Sequence, residues 1–194
     1  MAREDSPSRN ALPKVLDRPQ ISLLGPINPA MVEKLIAGLN DAPEDQDLAV
    51  EISTPGGDAE LGRRMVLEVE LARRRRSGRT LFLGKTEVYS AGATLMSAFP
   101  REDRYATPDT SFLIHCRQLD STIEISGPIR ASIPKVEALS AQLRKGIEQE
   151  EENFRKLVAG SNVTLEETYE KALYNWYLTA DEALERGLIA AIYD

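Results

Sequence analysis

The chain has one histidine and one cysteine in 194 residues, and only 6% of its residues are aromatic. A lone cysteine excludes an intrachain disulfide and a four-thiolate zinc site. A lone histidine excludes a multi-histidine metal centre within one chain, so any histidine-dependent chemistry must use His115. No stretch approaches the ~18 apolar residues of a membrane span. The first twenty residues lack the apolar run of about 7–15 residues that marks a secretory signal. Positive charge is also in short supply. The 24 Lys and Arg against 31 Asp and Glu leave a net charge of −7, which argues against general binding to nucleic acid or an anionic membrane. A cytoplasmic location is the expectation. The content of 42% hydrophobic and 28% charged residues is ordinary for a globular chain. At this length one domain buries roughly 70% of the surface its unfolded chain exposes, so it needs no staples.

Strand and helix signals alternate along the chain. Residues 1–19, rich in Ser, Pro and charge, read as a flexible leader before a domain over 20–194. Ile21–Leu24 is an expected strand, closed by Gly25-Pro26. Asn28 caps a helix with Pro29 in its first turn. Leu48, Val50 and Ile52 alternate as a strand that stops at Thr54-Pro55-Gly56-Gly57. Leu61, Met65, Val69 and Ala72 share one face of the next helix. Thr80–Leu83 and Thr110–Ile114 read as strands, Ala91–Phe99 as a buried helix, and Ser121–Ser126 as a short strand. Beyond Pro134 the pattern is helical to about Val158, with an apolar stripe of Val136, Leu139, Leu143, Ile147, Phe154 and Leu157. Thr164 to Glu167 and Thr179 to Glu182 both match the capping box. Leu188–Ile192 is a last expected strand. This alternation implies an α/β domain with a largely parallel sheet. The helix near 130–158 is too long for a simple crossover and suits a projection that packs on another copy.

Three segments can carry chemistry. Thr54-Pro55-Gly56-Gly57-Asp58 reads either as a tight strand-to-helix turn or as half of an oxyanion hole, since consecutive glycines leave N–H groups free to face an anion. Ser90 falls at a strand-to-helix transition. It reads either as a helix N-cap or as a nucleophile whose neighbour Ala91 offers an N–H to a developing oxyanion. The segment is not a full G-x-S-x-G elbow, because position 88 is Val. His115 ends an apolar strand, where it is either a structural histidine or part of a site at a strand end.

In this order and spacing the three segments resemble the proteolytic subunits of the Clp protease family, serine peptidases within the crotonase-like fold. The likeness runs over Ser53-Thr54-Pro55-Gly56-Gly57, Tyr89-Ser90-Ala91-Gly92-Ala93, Ile114-His115-Cys116-Arg117 and Leu178-Thr179-Ala180-Asp181-Glu182-Ala183, across roughly residues 21–194. It implies a crotonase/Clp-protease-like α/β fold of repeated strand–helix units, with a projecting handle of long helix and short strand over roughly 118–160. It implies Ser90 as nucleophile, His115 as general base, and Gly57 and Ala91 as oxyanion donors. The Ser53–Asp58 edge, with Gly56 and Asp58, would bind an extended peptide as an added strand. No metal or organic cofactor is implied. The implied partners are a peptide or unfolded protein substrate, further copies in a homo-oligomeric ring, and an AAA+ unfoldase or a related catalytic subunit.

The chain departs from the family pattern at the third triad position, where Asn175 stands in place of aspartate. Its amide oxygen can accept a hydrogen bond from His115 but supplies no charge. Three alternatives follow. Asn175 orients His115 in a weak site, another carboxylate such as Asp120 or Asp181 approaches, or the chain is an inactive paralogue that scaffolds or regulates an active partner. The interval from His115 to Asn175 is also longer than in the family. The block Arg73–Arg76 reads as a solvated helix end or a contact with an acidic neighbour, and Glu148–Glu152 as a solvent-facing run.

Overall fold

The computed structural model describes residues 12–119 and 122–194. Seven strands form one sheet: β1 (Ile21–Leu24), β2 (Leu48–Thr54), β3 (Thr80–Tyr89), β4 (Arg104–Ala106), β5 (Ser111–Ile114), β6 (Trp176–Thr179) and β7 (Ala191–Ile192). The main path runs β1-β2-β3-β4-β7, and every pair on it is parallel. Six helices accompany the sheet: α1 (Pro29–Asp41), α2 (Ala59–Arg75), α3 (Ala91–Met96), α4 (Ile129–Val158), α5 (Leu165–Ala172) and α6 (Ala180–Glu185).

The ten-residue strand β3 is the hinge of this architecture. Its first half pairs with β4 and its second half, Glu87–Tyr89, with β5. The backbone turns between the halves, where Thr86 has φ 59°. β5 in turn pairs antiparallel with β6. The sheet therefore splits into two directions beyond Gly84, and Ser90 and His115 lie just past the ends of adjacent strands.

The strands read as continuous apolar runs because both faces are covered. Val50, Ile52 and Phe82 join the large core with Leu35, Met65 and Val69 of α1 and α2. Ala49, Leu81, Leu83 and Tyr105 pack on the opposite face against Leu16. Leu16 belongs to a 3₁₀ turn at Lys14–Asp17 and is 1% exposed. The expected flexible leader thus fails over residues 12–19. Leu16 supplies the apolar cover that the second sheet face needs, while residues 1–11 lie outside the described residues.

Several other boundaries differ from expectation. α4 begins at Ile129, five residues before Pro134, so the proline lies inside the helix, where it lacks the N–H for one backbone bond. Residues 122–126 form no strand, for Ile123 and Ile125 have no partner strand among the described residues, and residue 121 lies outside them. The handle is therefore the 30-residue helix without the expected short strand. α3 stops at Met96 instead of Phe99, and β7 holds only Ala191–Ile192. Among the described residues, no helix is long and apolar enough to cross a membrane.

In the Arg73–Arg76 block Arg73 and Arg76 bond to backbone carbonyls, whereas Arg74 and Arg75 are exposed. Arg76 donates to the carbonyls of Ala42, Pro43 and Gln46, closing the loop after α1. Arg104 in β4 is 1% exposed. It donates to Phe99 O (2.8 Å), Leu157 O (2.6 Å) and Lys156 O (3.1 Å). The last two are unpaired carbonyls at the C-terminus of α4, where a cation also complements the helix dipole. Burial pushes the Arg104 guanidinium down to about 10, so it remains charged at neutral pH.

Candidate active site

The turn from β3 into α3 fixes Ser90. Its backbone has φ 56° and ψ −113°, and its side chain makes no capping bond to α3. A helix-capping role is thus not realised. A non-glycine residue in such a region carries strain of about 1–3 kcal/mol. Two backbone bonds hold it there: Ser90 N donates to Leu113 O (2.8 Å), and Thr94 N donates to Ser90 O (3.1 Å). The first of these stitches the serine turn to β5, two residues before His115.

The glycine turn approaches from the other side. Thr54, fully buried at the end of β2, uses Oγ1 to accept from Gly56 N (3.1 Å). Gly56 O accepts from Ile27 N (2.8 Å), and Asp58 N donates to Ile27 O (3.2 Å). The Asp58 carboxylate caps α2 by accepting from Glu60 N and Leu61 N. Gly56 and Asp58 therefore have their polar groups committed within the fold. They do not offer the free edge that was expected of them as peptide-binding residues. Gly57 differs: its N–H has no acceptor among the described residues. The same holds for Ala91, the first residue of α3. Gly57 has φ 151°, and a Cβ there would sit 2.4 Å from Ile27 O. Only glycine fits this position.

Ser90, His115, Gly57 and Ala91 all line one cavity of about 320 Å³, closed on the far side by Phe154 and Glu150 of α4. Ser90 and His115 form no hydrogen bond with each other in this structure, although both border that space. His115 is half-buried. Its Nδ1 lies 2.7 Å from Cys116 O. A carbonyl only accepts, so Nδ1 carries the proton in this contact, and in the neutral ring Nε2 is then the free acceptor.

Asn175 was expected to accept that Nδ1 proton, and no such bond forms. In the antiparallel β5–β6 register Ile114 faces Trp176, so one step further His115 is opposite Asn175. The chain leaves the ladder at that step, however, since Asn175 has φ 61°. Its side chain is exposed and makes no hydrogen bond among the described residues. Asp181 is exposed in the first turn of α6 and does not line the cavity. Asp120 lies outside the described residues.

Arg117 and Glu150, to which the sequence assigns no role in a site, both border the cavity. Arg117 donates from its backbone N–H to the Glu150 carboxylate, and from its guanidinium to Gln149 Oε1 (2.9 Å) and to Glu60 of α2. Burial alone would raise Glu60. Hydrogen bonds and charge from Arg117 and Arg63 outweigh it and hold the carboxyl below its usual range. Burial and the nearby Glu150 charge push the Cys116 thiol up. It stays protonated at neutral pH, which disfavours it as the nucleophile beside His115. The signal that could have revealed Glu150 was its place in an acidic run, which read as solvent-facing.

A mostly parallel α/β sheet, with a strained serine and a histidine at the ends of neighbouring strands, has the layout of a hydrolase of the crotonase-like fold. The family model for Clp protease matches residues 4–194, and the chain belongs to the Clp protease family. It is 28% identical over 174 residues to the ATP-dependent Clp protease proteolytic subunit 3 of Rhizobium johnstonii, covering 89% of this chain and 82% of that protein. It is 34% identical over 103 residues to the ATP-dependent Clp protease proteolytic subunit of Paracoccus denitrificans, covering 52% of this chain and 50% of that one. Among solved structures, an asparagine-to-aspartate mutant of ClpP1 from Listeria monocytogenes superposes with a TM-score of 0.70 at 19% identity, over 93% of this chain and 94% of that one.

Proposed function

We propose that the chain is the proteolytic subunit of a Clp-type serine endopeptidase, with Ser90 as nucleophile and His115 as general base. The observation that carries this reading is the meeting of a strained serine, a histidine whose Nδ1 is engaged by a backbone carbonyl, and two unpaired N–H groups at one cavity. In the reaction, Ser90 Oγ attacks the peptide carbonyl carbon as its proton passes to His115 Nε2. The oxyanion is received by the Gly57 and Ala91 N–H groups. Collapse breaks the C–N bond, and His115 returns the proton to the leaving amine. Water, deprotonated by His115, then cleaves the acyl ester and restores Ser90.

The site works inside a ring of identical subunits. Supporting this is the apolar face of α4, where Ile129 is 84%, Ile147 59% and Ile133 54% exposed in the single chain. Monomeric proteins rarely leave such a contiguous apolar face in water. The protein acts in the cytoplasm on unfolded protein delivered by an AAA+ unfoldase. A second reading, an inactive paralogue that scaffolds a catalytic partner, draws on the missing Ser90–His115 hydrogen bond and the uncharged Asn175.

The test is active-site labelling. A fluorophosphonate probe labels Ser90 and fails to label Ser90→Ala. Light scattering finds an assembly of many subunits. An absence of labelling both alone and with a Clp partner subunit favours the paralogue, and a strict monomer removes the ring.

A further inference from the structure

His115 and Glu150 are connected through a single peptide unit. The carbonyl of Cys116 accepts from His115 Nδ1 at 2.7 Å. The N–H of the same amide, that of Arg117, donates to the Glu150 carboxylate. The amide is planar and conjugated, with partial double-bond character in C–N. A carboxylate accepting from its N–H draws electron density toward the oxygen and makes that oxygen a better acceptor, since chained hydrogen bonds polarise one another. We propose that Glu150 is a positioning residue for His115, acting through the Cys116–Arg117 peptide to hold the imidazole in its Nδ1–H tautomer with Nε2 free as a base. This rests on the Ser90–His115 reading above and fills the role that Asn175 does not.

The surroundings fix this peptide. Cys116 N donates to Ala172 O (3.1 Å) at the end of α5. The Arg117 guanidinium is tied to Gln149 of α4 and Glu60 of α2. These contacts anchor the residues on either side of the peptide to α2, α4 and α5. The other titratable groups in reach are the Cys116 thiol and the Tyr169 hydroxyl of α5, with Glu151 and Arg155 behind them. Burial pushes both of those acids up, with the Glu150 charge adding to the effect on each. They stay neutral at neutral pH. No proton crosses the peptide; the effect of Glu150 is on orientation and tautomer. A serine triad loses on the order of 10⁴ in rate when its carboxylate becomes an amide, largely through the wrong tautomer. A peptide-relayed carboxylate recovers part of that loss.

His115 is the only histidine, so ¹⁵N-histidine labelling of the full chain gives one imidazole to observe. At about pH 8.5 the ring of an ordinary histidine is neutral, and its two nitrogens report the tautomer directly. The wild type and Glu150→Asp show a protonated Nδ1 and a bare Nε2. Glu150→Gln, which keeps size and an acceptor oxygen but loses the charge, moves population to the other tautomer and slows fluorophosphonate labelling at least about tenfold. Arg117→Pro removes the N–H while leaving Glu150 in place and gives the same tautomer change. It stands in if Glu150→Gln fails to fold. An unchanged tautomer in the folded variant overturns the proposal, even if labelling slows. A changed tautomer with no labelling in any form, wild type included, supports the positioning role and overturns the peptidase reading instead.

Discussion

A methyl group built on Gly56 would lie 2.7 Å from Ser90 Cβ and 3.3 Å from Ser90 Oγ. The backbone of the glycine turn is thus the wall against which the serine side chain rests. Gly56 also has φ 99°, which L side chains rarely adopt. Gly56→Ala should therefore displace Ser90 and cut labelling by at least about 100-fold, since a misplacement near 1 Å costs on that order. The loss should exceed the accompanying drop in thermal stability, because Ser90 itself is strained and gains by relaxing. Probe kinetics beside a melting curve check this. Labelling within a few-fold of wild type would show that Gly56 does not shape the serine turn.

Much of the fold was legible because its elements obey local rules. β2 and α2 follow from the alternation at Leu48, Val50 and Ile52 and the helical spacing of Met65, Val69 and Ala72, all of them buried. Asn28 caps α1 as expected by accepting from Met31 N, and Thr179 with Glu182 closes a full capping box. Glu167 does not reciprocate to Thr164, for Lys171 and Arg186 compete for its carboxylate. What escaped was non-local. β4 contains a buried arginine, which reads as surface in sequence, and all its partners but Phe99 lie 52 to 84 residues away. β6 shows the alternation of buried Trp176 and Leu178 with exposed Tyr177, but is only four residues long. Motif and order single out Ser90, His115, Gly57 and Ala91, and all four border one cavity. Glu150 was missed because its partner is a backbone N–H, which no side-chain pattern announces.

Arg104 should be a large contributor to stability. It links α4, β4 and the segment before β7 through carbonyls that have no other donor of this reach. Removing it strands several buried acceptors, and hydrogen bonds to charged groups are worth about 1.5–3 kcal/mol each. Arg104→Met should cost about 3–5 kcal/mol in denaturant unfolding. Arg104→Lys should cost nearly as much, because an ammonium cannot span the same fork. The guanidinium, at about 10 in the fold, stays protonated below that value. The cost should therefore be constant between about pH 5 and 8. A loss under about 1 kcal/mol would show that water replaces the arginine easily.

Acid should weaken the fold through a small set of carboxylates. Burial alone would raise Asp47 and Glu51, but hydrogen bonds and charge from Arg79 and Lys85 outweigh it and hold them low. Groups depressed on folding contribute stability above their unfolded values, near about 4, and lose it as pH falls through the folded ones. Asp103 has the opposite sign. Burial raises it despite Arg79, so its ionised form costs stability at neutral pH. The melting temperature should be flat above about pH 5 and fall below about pH 4. Asp47→Asn should lower it at pH 7 and shrink the acid-dependent fall, whereas Asp103→Asn should not lower it at pH 7. Equal losses in the two variants would contradict this assignment.

Asn175→Asp separates two ways of holding His115. If Asn175 were the partner of Nδ1 during the reaction, restoring the carboxylate should raise peptide hydrolysis steeply, toward the ~10⁴ that separates amide from carboxylate in a serine triad. The structure instead gives Nδ1–H to Cys116 O, while Asn175 sits exposed at a left-handed turn. A carboxylate placed there adds charge screened by solvent and must compete with a bond already made. Its benefit should be severalfold at most, and smaller than the loss in Glu150→Gln. The double variant Asn175→Asp, Glu150→Gln is the sharper measurement. Independent roles predict that the two effects multiply. Should the aspartate rescue the glutamine variant completely, the imidazole can pivot from the Cys116 carbonyl to position 175, and the two carboxylates are alternative holders of one ring.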